Sequence, residues 1–412
     1  MNKSDLNKYL TDFKFDTSPS GLKKTNVDCV EINGNCVSRF SNEFWTSKQR
    51  QNNSLHEISY RACFKAELPN FFISLLTKEN DVIYDPFAGR GTTIIEAALL
   101  NRNVIANDIN PLSTILSKPR LLIPSLVEVE NRLKKIKFKR GLKADMDLSM
   151  FYHPNTESEI MSLRNYLISK KKNSSEDFID EWIRMVATSR LTGHSKNFFS
   201  VYTLPPNQAV TSERQKKINK QIGQKPEYKD IKFIILKKSR GLTVRLNKNL
   251  INQLNRISNK AMFLNEDARS TSAIKKNSIN LTVTSPPFLD IVNYVEDNWL
   301  RCWFNNINAK KISRRITISK KIDEWEKVML EVFKELYRIT KRGGHVAFEV
   351  GEIRKGKIKL DEHIVPIGIK TGFDCSGIII NQQKFTKTAN IWGVNNNTVG
   401  TNTNRIVLFR KD

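Results

Sequence analysis

The stretch from Asp81 to Asp108, DVIYDPFAGRGTTIIEAALLNRNVIAND, constrains the fold more than any other part of the chain. A short apolar run, Val82–Tyr84, leads into a glycine-broken loop at Ala88–Gly91, and apolar residues then recur at helical spacing from Thr92 to Leu100. A second apolar run, Val104–Ala106, ends in Asn107–Asp108. The order is strand, glycine loop, helix, strand, acid. Doubly wound α/β proteins hold an adenosine group with this order. Glycines let the backbone approach a ligand closely, the helix N-terminus offers unpaired N–H groups, and the strand-end acid accepts from ribose hydroxyls.

Two details argue against a dinucleotide. Phe87–Gly91 is F-x-G-x-G with no third glycine in register, and Asp85 precedes the loop where it would repel a pyrophosphate. A carboxylate there suits a cationic ligand. DPFAGRGTT followed by ANDIN resembles the first two motifs of amino-methyltransferases that use S-adenosylmethionine. The resemblance implies cofactor contacts from Asp85, Pro86, Phe87, Ala88, Gly89, Gly91, Thr92 and Asp108. The segment from Lys65 to Pro69 loosely fits the same family's cofactor-flanking motif. Pro69 opens a helix that is apolar at Phe71, Phe72, Leu75 and Leu76.

A chain of 412 residues exceeds what one core usually fills, about 250–300 residues, so an α/β core with an insertion or a second module is expected. The formal charge of +26 is unevenly spread. Pro111–Phe263 holds 30 Lys and Arg against 13 Asp and Glu, which points to a polyanion bound there. The five cysteines, Cys29, Cys36, Cys63, Cys302 and Cys375, form no C-x-x-C pair and have no histidine at ligand spacing. They read as reduced thiols, and no metal is expected. No apolar run has the length of a signal peptide core or a membrane span, so a soluble, intracellular protein is expected. Residues 1–43 read as an irregular arm or small helical cap. His56, with Glu57 beside it, has no second ligand or nucleophile at suitable spacing and is left out of the site.

After Asp108 the next strand followed by an acid is Ala261–Leu264 with Glu266–Asp267–Ala268, so residues 121–260 read as an insertion between 44–120 and 261–412. Inside it Glu157–Leu167 and Asp177–Leu191 read as amphipathic helices, and IKFIIL and LTVRL as two strands joined by a KKSRG turn. From Ile231 to Asn265 there is no acid, whereas a merely solvated face normally mixes both signs. Lys237, Lys238, Arg240 and Arg245 are the expected phosphate contacts. The buried aromatic cluster is the commoner use of Phe198 and Phe199.

Ile279–Leu289, INLTVTSPPFL, is a buried strand followed by two prolines, which cannot continue a ladder and leave carbonyls free to accept. An exocyclic amine needs such acceptors to aim its nitrogen, and an aromatic ring to stack on the base. TSPPF resembles the catalytic motif of DNA amino-methyltransferases, in which serine in the first place usually accompanies N4 of cytosine and aspartate N6 of adenine. The resemblance implies that Ser285 and the Pro286 carbonyl grip the amine, with Pro287 fixing the turn and Phe288 stacking on a base flipped from the duplex. It likewise places Asp267 on the adenine amine of the cofactor, with Glu266 as the other candidate. Asn293–Phe304 and Trp325–Ile339 read as helices, Lys341–Gly344 as a turn, Glu362–Thr371 as another helix or turn, and His345–Val350, Cys375–Ile380 and Thr403–Phe409 as strands.

These signals together imply a Rossmann-like class I methyltransferase sheet, mostly parallel with an antiparallel last strand, carrying a large basic insertion for target recognition. The implied function is a cytosine-N4 DNA methyltransferase of a type II restriction-modification system, using S-adenosylmethionine on double-stranded DNA in a prokaryotic cytoplasm, nucleoid-associated, with a restriction endonuclease of the same site as partner. Monomer and dimer are both left open. The alternatives are adenine N6 and RNA guanine N2, against which Ser285 counts, and a basic binding protein with a dead core, against which the intact motifs count.

Overall fold

Successive residues of a strand face opposite sides of a sheet, and Val82–Asp85 shows what that requires here. Ile83 enters an apolar cluster with Ile94, Ala97 and Ala98, while Tyr84 enters another with Trp325, Met329 and Phe333. Ala347 and Phe348 split in the same way. Both faces of the sheet are therefore covered by helices.

The computed structural model describes the chain except for residues 15–23, 46–52, 62, 205–208, 288–293, 316–320, 354–357 and 383–402. The strands are β1 (Asn26–Ile32), β2 (Asn35–Asn42), β3 (Val82–Asp85), β4 (Asn103–Asn107), β5 (Met262–Leu264), β6 (Ile279–Thr284), β7 (Thr340–Val350), the short pair β8 (Glu352–Ile353) and β9 (Ile358–Lys359), β10 (Asp374–Gln382) and β11 (Thr403–Arg410). The main sheet runs β1-β2-β10-β11-β7-β6-β3-β4-β5. Pairing is parallel from β7 through β6, β3 and β4 to β5, whereas β11 is antiparallel to both neighbours. This is the Rossmann-like class I methyltransferase arrangement expected from the sequence. Because β3 lies centrally, with β4 and β6 on either side, the loops after these three strands meet at one edge.

The helices are α1 (Lys3–Asp12), α2 (Glu67–Leu76), α3 (Thr92–Leu99), α4 (Leu112–Ser117), α5 (Leu126–Lys135), α6 (Pro154–Lys172), α7 (Phe178–Arg190), α8 (Ser212–Ile222), α9 (Ile231–Thr243), α10 (Lys248–Ser258), α11 (Tyr294–Phe304), α12 (Ala309–Ser313), α13 (Ile322–Ile339) and α14 (Leu360–Lys370). α13 and α14 cover one face. There Phe333 packs against Phe348 and Phe409 at ring distances of 4.9 and 5.3 Å, and truncating so buried a ring to Ala costs about 3–5 kcal/mol. The insertion helices bury Phe151, Trp182 and Ile235 in the cluster that covers the other face.

Most insertion helices start on a polar cap: Ser125, His153, Asp177, Thr211, Asp230 and Asn247 each accept a backbone N–H of the first turn. Asp230 explains a correction. The stretch IKFIIL to LTVRL is not a hairpin but mostly the single helix α9, capped by Asp230 Oδ1 on the Phe233 amide at 3.0 Å. Ile231, Ile234, Ile235 and Leu242 form its buried face, a 3.6-residue period that outweighs the strand propensity of its β-branched residues.

Residues 1–43 contain a helix and also a hairpin, β1–β2, that extends the sheet by pairing β2 with β10 in parallel. Cys29 and Cys36 on that hairpin are disulfide-bonded with Cα atoms 5.7 Å apart, contrary to the expectation of five free thiols. Lys341–Gly344, expected as a turn before a strand, lies within β7. Among the described residues no helix is long and apolar enough to cross a membrane.

Candidate active site

The glycine loop joins β3 to α3. Gly91 caps α3 at φ +78°, in the left-handed region, and a Cβ there would lie 2.5 Å from Ser117 Cβ, so glycine is required for both conformation and space. The loop is pinned by its neighbours. Gly91 N–H donates to Ala88 O at 2.6 Å, Ala88 N–H to Asn107 O at 3.0 Å, and Gly89 N–H to Asp108 Oδ2 at 2.9 Å. Asp108 Oδ1 accepts from the Asn110 amide at 2.9 Å. Burial pushes the Asp108 carboxyl up to about 6, opposed by these two amides. Asp108 is thus a half-buried staple between β4 and the glycine loop rather than an exposed strand-end acid.

Asp85 is buried at the end of β3. Its Oδ1 accepts from Thr284 Oγ1 at 2.6 Å and from the Phe87 amide at 3.1 Å. Burial raises its pKa to about 7, against the lowering effect of the Thr284 hydroxyl. Thr284 immediately precedes Ser285, so Asp85 ties the glycine loop to the double-proline turn. Thr92 is buried, and its hydroxyl accepts from Arg90 Nε at 3.1 Å.

A cavity opens at this edge. Pro86, Phe87, Asp108, Asp267 and Pro287 line it together with Ile109, Glu266, Ala268, Arg269, Arg315 and Trp325. Ala88, Gly89, Gly91 and Thr92 are not lining residues. The acids after β5 differ from each other. Asp267 is engaged by Arg269 at 2.9 and 2.6 Å, which holds its carboxyl below the usual range. Glu266 Oε2 is buried with no hydrogen-bond partner. Asn107 holds the Glu266 backbone in place, accepting from its N–H at 2.9 Å and donating to its carbonyl at 3.0 Å. Glu266 is therefore the better candidate for a ligand contact.

At the end of β6, Ser285 and Pro287 are half-buried and Pro286 is buried. Trp325 Nε1 donates to Pro287 O at 3.2 Å, fixing the turn against α13. Phe288 lies outside the described residues. Glu349 was missed in the sequence. It follows Phe348, which pairs with Thr284 across β6 and β7. Its buried carboxyl accepts from the Ser285 hydroxyl and, through Oε1, from Asn404 Nδ2 at 3.1 Å. Burial raises its pKa against these two donors. Only the strand order brings positions 285, 349 and 404 together, so no local motif marks Glu349.

His56 is buried with Nε2 2.7 Å from Glu96 Oε2, and burial lowers its pKa. The four basic candidates do not share one face. Consecutive helix residues are about 100° apart, so Lys238 turns inward beside Glu57 while Lys237 and Arg240 are exposed. Arg240 instead influences Glu130 of α5, and Arg245, also exposed, lies beyond α9. Among the described residues no group of three or more His, Cys, Asp or Glu could hold a metal ion.

The chain is 26% identical over 302 residues to the type II methyltransferase M.MvaI of Kocuria varians, covering 66% of this chain and 60% of that one. It is 34% identical over 101 residues to the type II methyltransferase M.BsoBI of Geobacillus stearothermophilus, covering 24% and 20%. The chain thus spans less than two thirds of either relative. Among solved structures, TTHA0409 of Thermus thermophilus, described as a putative DNA modification methylase complexed with S-adenosyl-L-methionine, aligns over 35% of this chain and 53% of its own with 24% identity and a TM-score of 0.22. The rRNA methyltransferase aviRa of Streptomyces viridochromogenes aligns over 87% and 90% with 10% identity and a TM-score of 0.32. The N6/N4 DNA methylase family matches residues 8–114, the segment that carries the glycine loop and Asp108. Over that segment the chain is similar to the N6/N4 DNA methylase family.

Proposed function

We propose that this chain transfers a methyl group from S-adenosylmethionine to N4 of a cytosine in duplex DNA, as the site-specific modification enzyme of a type II restriction-modification system. The observation that carries the reading is Ser285, a hydroxyl rather than a carboxylate, directly before Pro286–Pro287 at the edge where the cavity opens. With its hydrogen directed to Glu349, Ser285 keeps its lone pairs for one amine hydrogen. The Pro286 carbonyl takes the other hydrogen, and Phe288 stacks on the flipped base.

The cavity's residues suit the cofactor. Asp108 is the acceptor for the ribose hydroxyls, and the spare oxygen of Glu266 is the acceptor for the adenine amine, in preference to Asp267. The cofactor, when bound, supplies an electrophilic methyl group on a positively charged sulfur. Asp85 contributes negative charge beneath the loop while its bond to Thr284 holds the double-proline turn. The amine nitrogen gains the methyl group as the bond to sulfur breaks, becomes cationic and then loses a proton, which the Ser285–Glu349 pair can accept. The match to a DNA methylase family supports a DNA substrate, and a restriction endonuclease of the same specificity is the partner this reading proposes. The family name spans both N6 and N4 targets, so adenine N6 is the competing reading.

The test is transfer from methyl-labelled S-adenosylmethionine to mixed-sequence duplex DNA and, separately, to RNA. Label in DNA alone is expected. Label in RNA alone, or in neither, would overturn the reading.

A further inference from the structure

Buried cations in this fold are generally tied to carbonyls. Arg120 donates to the backbone oxygens of Leu116 and Leu55 at 2.9 Å each and also to that of Arg90. Arg301 of α11 donates to Asn298 Oδ1 at 2.7 Å and Ser59 O at 3.1 Å. Arg190 and Lys238 break the pattern. Arg190, the last residue of α7, is only 7% exposed, yet among the described residues its one side-chain hydrogen bond is from Nε to its neighbour's carbonyl, Ser189 O, at 3.0 Å. Its guanidinium stacks 4.0 Å from the Phe198 ring, and no bond among the described residues uses its two terminal nitrogens. Phe198 is itself fixed, since a Cβ on Gly193 would lie 2.4 Å from the ring. Among the described residues Lys238 of α9 bonds only Glu57, at a long 3.4 Å, and that carboxylate is half exposed.

The field here is unbalanced. Lys238 feels Arg190 and Arg120 as well as Glu57, and Arg190 feels Arg301 as well as Glu57. The other nearby acid, Asp297, is already held by Arg61 at 2.9 Å to each oxygen. Burial, reinforced by these like charges, lowers Lys238 to about 8 and Arg190 to about 10. Two under-partnered cations out of water repel each other unless an anion joins them. A planar guanidinium with free terminal nitrogens beside a point-charge ammonium matches the oxygens of a phosphate. The location narrows which phosphate. Arg301 lies 5.4 Å over the Tyr60 ring, and a Cβ on Gly89 would lie 3.8 Å from that ring, so the cluster adjoins the glycine loop.

We propose that Arg190 and Lys238 form a clamp for one DNA backbone phosphate beside the reacting nucleotide, an inference that rests on the DNA-methyltransferase reading. The exposed Lys237 and Arg240 lie outside this clamp.

The experiment uses the full chain with Arg190→Gln, Lys238→Gln and the double substitution. Affinity for a random-sequence duplex is titrated against salt, alongside cofactor affinity and thermal midpoint. The double substitution should flatten the log–log salt slope by about 0.9, the value for one phosphate, and each single substitution by part of that. Cofactor affinity should stay constant and the thermal midpoint should hold or rise, because a repelling charge has been removed. Arg190→Lys and Lys238→Arg should restore most of the slope. Unchanged slope and affinity would overturn the clamp, as would a lowered midpoint with unchanged slope, which is the mark of structural cations. A loss confined to cofactor affinity would also overturn it, by assigning the cluster to the cofactor's carboxylate. A wild-type chain that binds no duplex would overturn both the clamp and the functional reading beneath it.

Discussion

Glu349→Gln is the substitution that most sharply separates catalysis from architecture at this site. The buried carboxyl accepts from Ser285 and from Asn404. In the variant the amide keeps one acceptor oxygen for Asn404, while its NH2 group faces the Ser285 hydroxyl and competes for the lone pairs meant for the amine. The charge-assisted bond lost is worth about 1.5–3 kcal/mol, or roughly 10- to 100-fold in rate at about 1.4 kcal/mol per decade. Cofactor affinity should not move, because Glu349 is not a lining residue of the cavity. The sign of the pH effect follows from the raised pKa of Glu349. The active carboxylate exists above that pKa, so wild-type rate falls with acid through it and the Gln variant lacks this limb. Stability runs the other way. A raised folded pKa favours the protonated fold, so the wild type loses stability as pH rises from the ordinary glutamate range through the raised value, and the Gln variant does not. Single-turnover transfer into duplex DNA across pH, with thermal melts alongside, reads both effects. A variant as fast as wild type, with the same acid limb, would refute the relay; a slow variant that is also unstable at neutral pH would show Glu349 to be structural.

Three further outcomes are expected. Asp108→Ala should weaken cofactor binding by about 1.5–3 kcal/mol, and it should also lower stability because the Gly89 and Asn110 amides lose their acceptor; titration calorimetry on a folded variant with unchanged affinity would remove Asp108 from the site. Ser285→Ala should leave cofactor affinity intact and cost on the order of 10²-fold in transfer rate, since the amine is then held by one acceptor; Ser285→Asp should suit adenine better than cytosine, and a full-speed Ser285→Ala enzyme would reduce the turn to architecture. Asp85 has a folded pKa of about 7 against 3.8 unfolded, so its contribution is complete below about pH 4 and is lost as pH rises to 7, by up to about 4 kcal/mol at 1.36 per unit; Asp85→Asn should flatten the melting-temperature profile between those values, and an unchanged profile would contradict the burial argument.

The sheet and its motifs were legible because each is a local pattern. The apolar run, glycine turn and helical period from Val82 to Leu100 specify strand, loop and helix without distant contacts, and Thr284–Pro287 specifies a strand that must end. The α9 error arose because IKFIIL carries strand propensity, whereas its burial follows a helical period started by the Asp230 cap. Once the stretch is helical, Lys238 and Arg240 point apart, which the charge count could not reveal. Glu349 was invisible because it reaches Ser285 through strand order. The choice between Glu266 and Asp267 needed the position of Arg269. The β1–β2 hairpin and its disulfide were missed because β1 is largely exposed and shows little hydrophobic alternation.

The central claim is a cytosine N4 amine gripped by Ser285 and Pro286. Its most direct test is to methylate mixed-sequence duplex DNA with this enzyme and S-adenosylmethionine, digest the product to nucleosides and identify the modified base by mass and chromatographic mobility. The account predicts N4-methylcytosine as the sole new nucleoside, lost in Ser285→Ala at matched times. N6-methyladenine from the wild-type enzyme would contradict it.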